Sequence, residues 1–149
     1  MDNDDVITTL NNLIETSKDG EEGFRACAED AKDPTLKAFF STRAQSCAAA
    51  AVELQNAVRS YGGDPETSGG LGGAIHRRWL DIKAMVTGKD DKAVLQECER
   101  GEDVAAASYR SALEKNLPVE VRAMVERQYQ GVLQNHDKVK SLRDQYRSA

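Results

Sequence analysis

The sequence predicts an all-α fold, a bundle of four long helices arranged as two antiparallel hairpins. Three observations predict it. Apolar residues recur three and four positions apart over four long stretches, the period that gives a helix one inward face. The only three prolines, Pro34, Pro65 and Pro118, stand where one periodic stretch gives way to the next. Two of the junctions are only a few residues long, and turns that short force consecutive helices to lie antiparallel.

The first helix is expected from about Asn3 to Lys32, with Val6, Leu10, Leu13, Ser17, Gly20, Phe24, Cys27 and Ala31 as its inward stripe. Asp33-Pro34 then offers a capping carboxylate followed by proline at the first helical position, so a second helix starts at once. Its inward row is Leu36, Phe40, Ala44, Cys47, Ala51, Leu54, Val58 and Tyr61, and the run Ala48-Ala49-Ala50-Ala51 lets a neighbour approach closely. Gly62-Gly63 ends it. Residues 64–73, rich in Gly, Ser and Pro, read as a linker. A short amphipathic crossover helix follows from Ala74 to Val86, with Ile75, Trp79, Ile82 and Val86 on one side, closed by Thr87-Gly88. Asp90 caps the third long helix, whose inward positions are Leu95, Cys98, Glu102, Ala105, Tyr109 and Ala112. It reaches about Lys115. Asn116-Leu117-Pro118 makes a second tight turn, and the last helix carries Val121, Val125, Gln128, Val132, Asn135, Val139, Leu142 and Tyr146 inward.

Two tight hairpins joined by one long connection is the arrangement of ferritin-like bundles, in which the middle crossover runs the length of the bundle. The crossover helix would cover about 20 Å at roughly 1.5 Å per residue, and the linker supplies the rest. The fold class is therefore an all-α, ferritin-like four-helix bundle with a short crossover helix between the second and third long helices.

A chain of 149 residues is one domain's worth, spanning 1–149, with enough length to bury a core without a disulfide or metal staple. Its 25 acidic and 20 basic residues are interspersed, giving a net charge of -5. Nucleic acid is not an expected partner, because that would call for a clustered basic stripe. The start has no basic region followed by an apolar run, and no stretch approaches the roughly 20 apolar residues of a membrane span, so the expected location is the cytoplasm. Cys27, Cys47 and Cys98 show neither CxxC nor metal-ligand spacing, and each falls on an inward face as a small core residue.

Chemistry, if any, is expected at mid-bundle. Gly20-Glu21-Glu22 on the first helix and Gly101-Glu102-Asp103 on the third place a carboxylate in repeated surroundings on an inward face. A buried carboxylate must be paired, protonated, wet or bound to a cation. Ferritin-like di-iron proteins place one Glu on each of two helices opposite a Glu-x-x-His pair on each of the others. Both pairs are missing here, and Leu133 stands where the Glu before His136 would be. The donors that remain suit a single iron or manganese ion held by Glu21, Glu102 and His136, with Glu99 as a further ligand. The favoured reading over that metal site is a buried polar network left after ligand loss, in which Glu21 and Glu102 bond Arg43, Gln128, Asn135 or His136. His76-Arg77-Arg78 beside Trp79 reads as a solvated face of the crossover helix. The glycines at 69–73 lack the Gly-Lys-Ser/Thr of a phosphate loop.

On Leu13-Ile14-Glu15-Thr16-Ser17-Lys18-Asp19-Gly20-Glu21, His76-Arg77-Arg78-Trp79, Glu97-Cys98-Glu99-Arg100-Gly101-Glu102-Asp103 and Asn135-His136-Asp137, the chain resembles a bacterial family of ferritin-like four-helix-bundle proteins carried under a domain-of-unknown-function label. The resemblance implies the fold over essentially the whole chain and brings no established activity or cofactor. The expectation is a non-enzymatic, stress-related module acting through self-association or a protein partner. An iron- or manganese-dependent oxidase or ferroxidase and a purely structural module are the alternatives.

Overall fold

The protein is described here by a computed structural model over residues 1–67 and 90–148, with side chains to residue 145. Among these residues there are four α-helices and no strand: α1 (Asn3–Asp30), α2 (Pro34–Ser60), α3 (Asp91–Leu113) and α4 (Val119–Ser148). The expected crossover helix Ala74–Val86, the cluster His76-Arg77-Arg78-Trp79, the glycines at 69–73 and Thr87-Gly88 lie outside the described residues, as does the Tyr146 side chain. No helix of the described residues is long and apolar enough to cross a membrane.

Local chemistry sets the helix ends. Asp2, Asp33 and Asp90 each accept a backbone N–H of the first turn they precede, from Asp5, Thr35 and Ala93. α1 stops at Asp30, two residues earlier than the periodicity suggests, because Ala31 is already extended and hands the chain to the Asp33 cap. α2 closes with Gly62 at φ 83°, a left-handed position that favours glycine. The Gly62 N–H bonds the Arg59 carbonyl and the Gly63 N–H bonds that of Val58, which satisfies two of the helix's last acceptors.

The inward stripe of α1 is buried as the spacing predicts, from Val6 through Ala31. Packing then fixes the direction of each helix. Phe24 of α1 stacks on Phe40 of α2 at 6.3 Å, while Asn11 of α1 bonds the Asp64 carbonyl and the Glu66 N–H just beyond the far end of α2. α1 and α2 are therefore antiparallel. Across the middle of the bundle Ser17 meets Tyr109 and Cys27 meets Cys98, with their sulfurs 2.8 Å apart, so α3 is antiparallel to α1 as well. It follows that α2 and α3 run parallel. The start of α3 is tied down where α1 turns into α2: the Asp91 carboxylate accepts the N–H groups of Lys32 and Asp33 at 2.8 and 2.9 Å. Asp91→Ala leaves both donors unpaired and is expected to cost about 1–3 kcal/mol in urea unfolding, whereas Asp91→Asn, which keeps one acceptor oxygen, loses less.

The apolar interior is divided. One cluster gathers Phe24, Cys27, Leu36, Phe40, Leu95, Cys98 and Val139 at the end of the bundle holding the α1–α2 turn. The other gathers Leu10, Leu13, Leu54, Val58, Tyr109, Val121 and Val125 toward the opposite end. Between them every helix contributes small or polar residues, among them Ser17, Gly20, Cys47, Glu102, Ala105, Gly131 and Asn135.

Candidate functional site

That interval holds a cavity of about 490 Å³ lined from all four helices. Its apolar wall comes from Phe24, Ala49, Ala50, Ala105 and Val132, and its polar groups from Arg43, Glu102, Tyr109, Gln128 and Asn135. Two properties of the sequence leave the space open: α2 presents its alanine run, and α4 presents Gly131, whose added Cβ would meet nothing within 4 Å. Gly20 lets α1 pack closely on α2, where an added Cβ would lie 3.1 Å from the Cys47 sulfur. Exposed Ser46, Ala49 and Arg127 form part of the rim, so the mouth lies between α2 and α4. Glycine inside a helix is unfavourable by roughly 1 kcal/mol relative to alanine. Gly131→Ala is accordingly expected to stabilise the fold by up to about 1 kcal/mol, measured by thermal unfolding, since the new methyl enters empty space.

At one end of the cavity, Arg43 of α2 reaches Glu102 of α3, Nη2 to Oε1 at 3.3 Å, with the two side chains 8 % and 2 % exposed. The guanidinium carbon lies 5.3 Å from the centre of the Phe24 ring, so the charge is also held against an aromatic face. Among the described residues Arg43 Nε is buried with no hydrogen-bond partner. Burial raises the Glu102 carboxyl above its ordinary value, and the Arg43 charge and hydrogen bond pull it only partly back.

At the other end, the Tyr109 hydroxyl donates to Gln128 Oε1 at 2.8 Å and lies 3.4 Å from the Ser17 hydroxyl. Gln128 in turn donates to Glu53 at 2.7 Å and to the Ala50 carbonyl at 3.4 Å, and Arg127 pairs with Glu53. These contacts latch α4 to α2 across the mouth. Burial pushes the Tyr109 hydroxyl and the Cys47 thiol each up to about 12. Both stay protonated at neutral pH.

The residues expected as metal ligands do not converge in this arrangement. Glu21 turns to the rim, where it pairs with Lys18 at 3.7 Å and Arg25 at 2.6 Å. Glu99 pairs with Arg143 of α4. His136 faces Asp103, Nε2 to Oδ1 at 2.7 Å, and Glu102 faces Arg43. Among the described residues no group of three or more His, Cys, Asp or Glu side chains is placed to hold a metal ion. Of the polar network weighed from the sequence, the Arg43–Glu102 pair is present, and Gln128 bonds Tyr109 and Glu53 instead. No single stretch of the sequence marks the cavity, because it arises from small residues on four different helices meeting at one level.

The family described as "Domain of unknown function (DUF2383)" matches residues 5–115, which takes in α1, α2 and α3 but not α4. No curated protein matches the chain.

Proposed function

We propose, from the premise that the chain belongs to the DUF2383 family, a domain family of unknown function, that it is a non-enzymatic, ferritin-like bundle of the cytoplasm that binds a small molecule in its central cavity. The observation that carries this reading is the opening between the two apolar clusters. Protein interiors seldom leave voids larger than a water molecule. About 490 Å³ lies instead within the size range of ligand sites, roughly 300–1,000 Å³, and combines a mainly apolar wall with a few fixed polar groups.

The ferritin-like reading is supported by the parallel course of α2 and α3. A link from the end of one to the start of the other has to travel the bundle's length, which is the connection such bundles use. Ferritin-like di-iron sites project carboxylates inward at mid-bundle, and here Glu102 does so with a guanidinium beside it. The non-enzymatic reading is supported by the protonated state of Cys47 and Tyr109 and by the pairing of the remaining charged groups around the cavity.

The test uses full-length protein purified without chelator or affinity tag. Toluene, a neutral apolar probe, is expected to shift the NMR signals of Phe24, Ala105 and Val132 in the wild type. It is expected to do nothing in Gly131→Phe, whose ring fills the mouth. Failure of the wild type to bind toluene or any small carboxylic acid overturns the reading. Elemental analysis of the same protein before and after anaerobic Fe(II) or Mn(II) decides the metal alternative. Stoichiometric metal that disappears in the Glu21→Gln/Glu102→Gln variant replaces the cavity reading with a metal site and reopens oxidase activity. Native mass spectrometry of the same preparation reads out self-association.

A further inference from the structure

We propose that the molecule this cavity takes is a small organic acid, an apolar body carrying one carboxylate, and that its carboxylate sits against Arg43 in the place Glu102 now holds. The inference rests on the cavity-binding reading above and adds the chemical class of the ligand.

A guanidinium carries five N–H donors. Among the described residues that of Arg43, 8 % exposed, makes one hydrogen bond to a carboxylate, at the long distance of 3.3 Å. A charge-assisted pair of better geometry with an arriving carboxylate improves on that contact. The planar fork of arginine fits the two oxygens of a carboxylate with parallel N–H bonds. The walls beyond it, Phe24, Ala49, Ala50 and Val132, suit an apolar body. A phosphate fits less well, because the second cation on the rim, Arg127, is already paired with Glu53 and the rest of the lining supplies no charge for a dianion.

Charge balance then fixes what happens to Glu102. The cavity holds two ion pairs, Arg43 with Glu102 and Arg127 with Glu53, and is neutral as it stands. A ligand carboxylate makes it negative unless a proton enters with it, since two carboxylates this close do not both stay ionised when one of them is as buried as Glu102. Glu102 is the group placed to take that proton. It is 2 % exposed, and once protonated it donates to the ligand's oxygen instead of repelling it. The other titratable and charged groups facing this end are Cys47 on α2, Asp103 on α3 and His136 on α4, and Glu21 of α1 lies near enough to Cys47 to raise its thiol. Tyr109 and Glu53 lie at the opposite end and are hydrogen-bonded there. Binding of the acid therefore carries uptake of a proton, and affinity falls as pH rises.

Calorimetric titration of benzoate, hexanoate and toluene into the full chain tests this, using buffers of different ionisation heat to count protons. Both carboxylates are expected to bind with proton uptake. In Glu102→Gln, which removes the competing charge and keeps a hydrogen-bonding amide, they should bind about tenfold or more tighter at neutral pH, with the uptake gone. Arg43→Met should lose the carboxylates and keep toluene. If that variant does not fold, Glu102→Gln decides alone: unchanged affinity and unchanged proton uptake overturn the proposal. Toluene binding without either carboxylate sinks the acid class and leaves the cavity reading standing. Binding by none of the three removes both.

Discussion

Replacing Glu102 by Ala lowers the stability of the bundle by about 3–5 kcal/mol at neutral pH, and acidification does not restore it, because the change strands a buried guanidinium that has no accessible neutral form. Arg43→Ala strands the other partner, and the outcome differs in kind. A carboxylate can take up a proton. The Glu102 carboxyl titrates near 4.5 in the unfolded chain, and burial already raises it in the folded protein against the opposing pull of Arg43. Without Arg43 the folded value rises further. Between the two values the folded state holds a proton that the unfolded state has released, so the slope of stability against pH is negative. Arg43→Ala is thus most stable below about pH 4.5 relative to wild type and loses that stability as pH rises through the folded value. Urea unfolding of both variants across the pH range separates the two behaviours. A Glu102→Ala loss below about 1 kcal/mol would place the pair in the class of solvated surface bridges.

Phe24→Ala carries the second large effect, a loss of about 3–5 kcal/mol. The ring is 1 % exposed, stacks on Phe40 at 6.3 Å, and supports the Arg43 guanidinium from below. It is also the point where an apolar cluster gives way to the cavity. Removing it merges a new void with an existing one, and a void that is already open has no neighbours free to relax into it. Phe40→Ala deletes the same chemistry in the same cluster without touching Arg43, and is expected to lose less. Thermal unfolding reads the difference at roughly 2–4 °C per kcal/mol for a chain of this size. Equal losses for the two variants contradict the role assigned to the Phe24 face.

What was legible in the sequence is what neighbouring residues determine together. The α1 stripe from Val6 to Ala31, the Asp33-Pro34 start of α2 and the Gly62-Gly63 stop depend on contacts within a few positions, and each stands where the pattern puts it. Glu21 and Glu102 show where legibility ends. Both follow a glycine and precede an acidic residue, yet Glu21 turns to the rim toward Lys18 and Arg25 while Glu102 points inward to Arg43. A residue's phase on its helix is set by the neighbouring helices, which the local sequence does not encode. That Glu102 needed a partner was readable from its place in an apolar row. Which partner it found depends on the register of α2 against α3. The same holds for Cys27 beside Cys98, His136 beside Asp103 and Glu99 beside Arg143, pairs between helices whose meeting requires the assembled bundle.

The broad helix contacts join α2 to α1, α1 to α3 and α3 to α4, so the mouth on the α2–α4 side is where the ring of helices is least tightly closed. Kinetics follow from that. Among the described residues Ser46 and Ala49 stand at the mouth, and the lifetime of a small molecule in the protein is governed by the contacts it makes inside. The latch across the mouth is an ion pair with Arg127 64 % and Glu53 39 % exposed. Added electrolyte screens such a pair, so salt is expected to hasten both arrival and departure while leaving the ratio of the two rates, and with it the equilibrium occupancy of a neutral guest, almost unchanged.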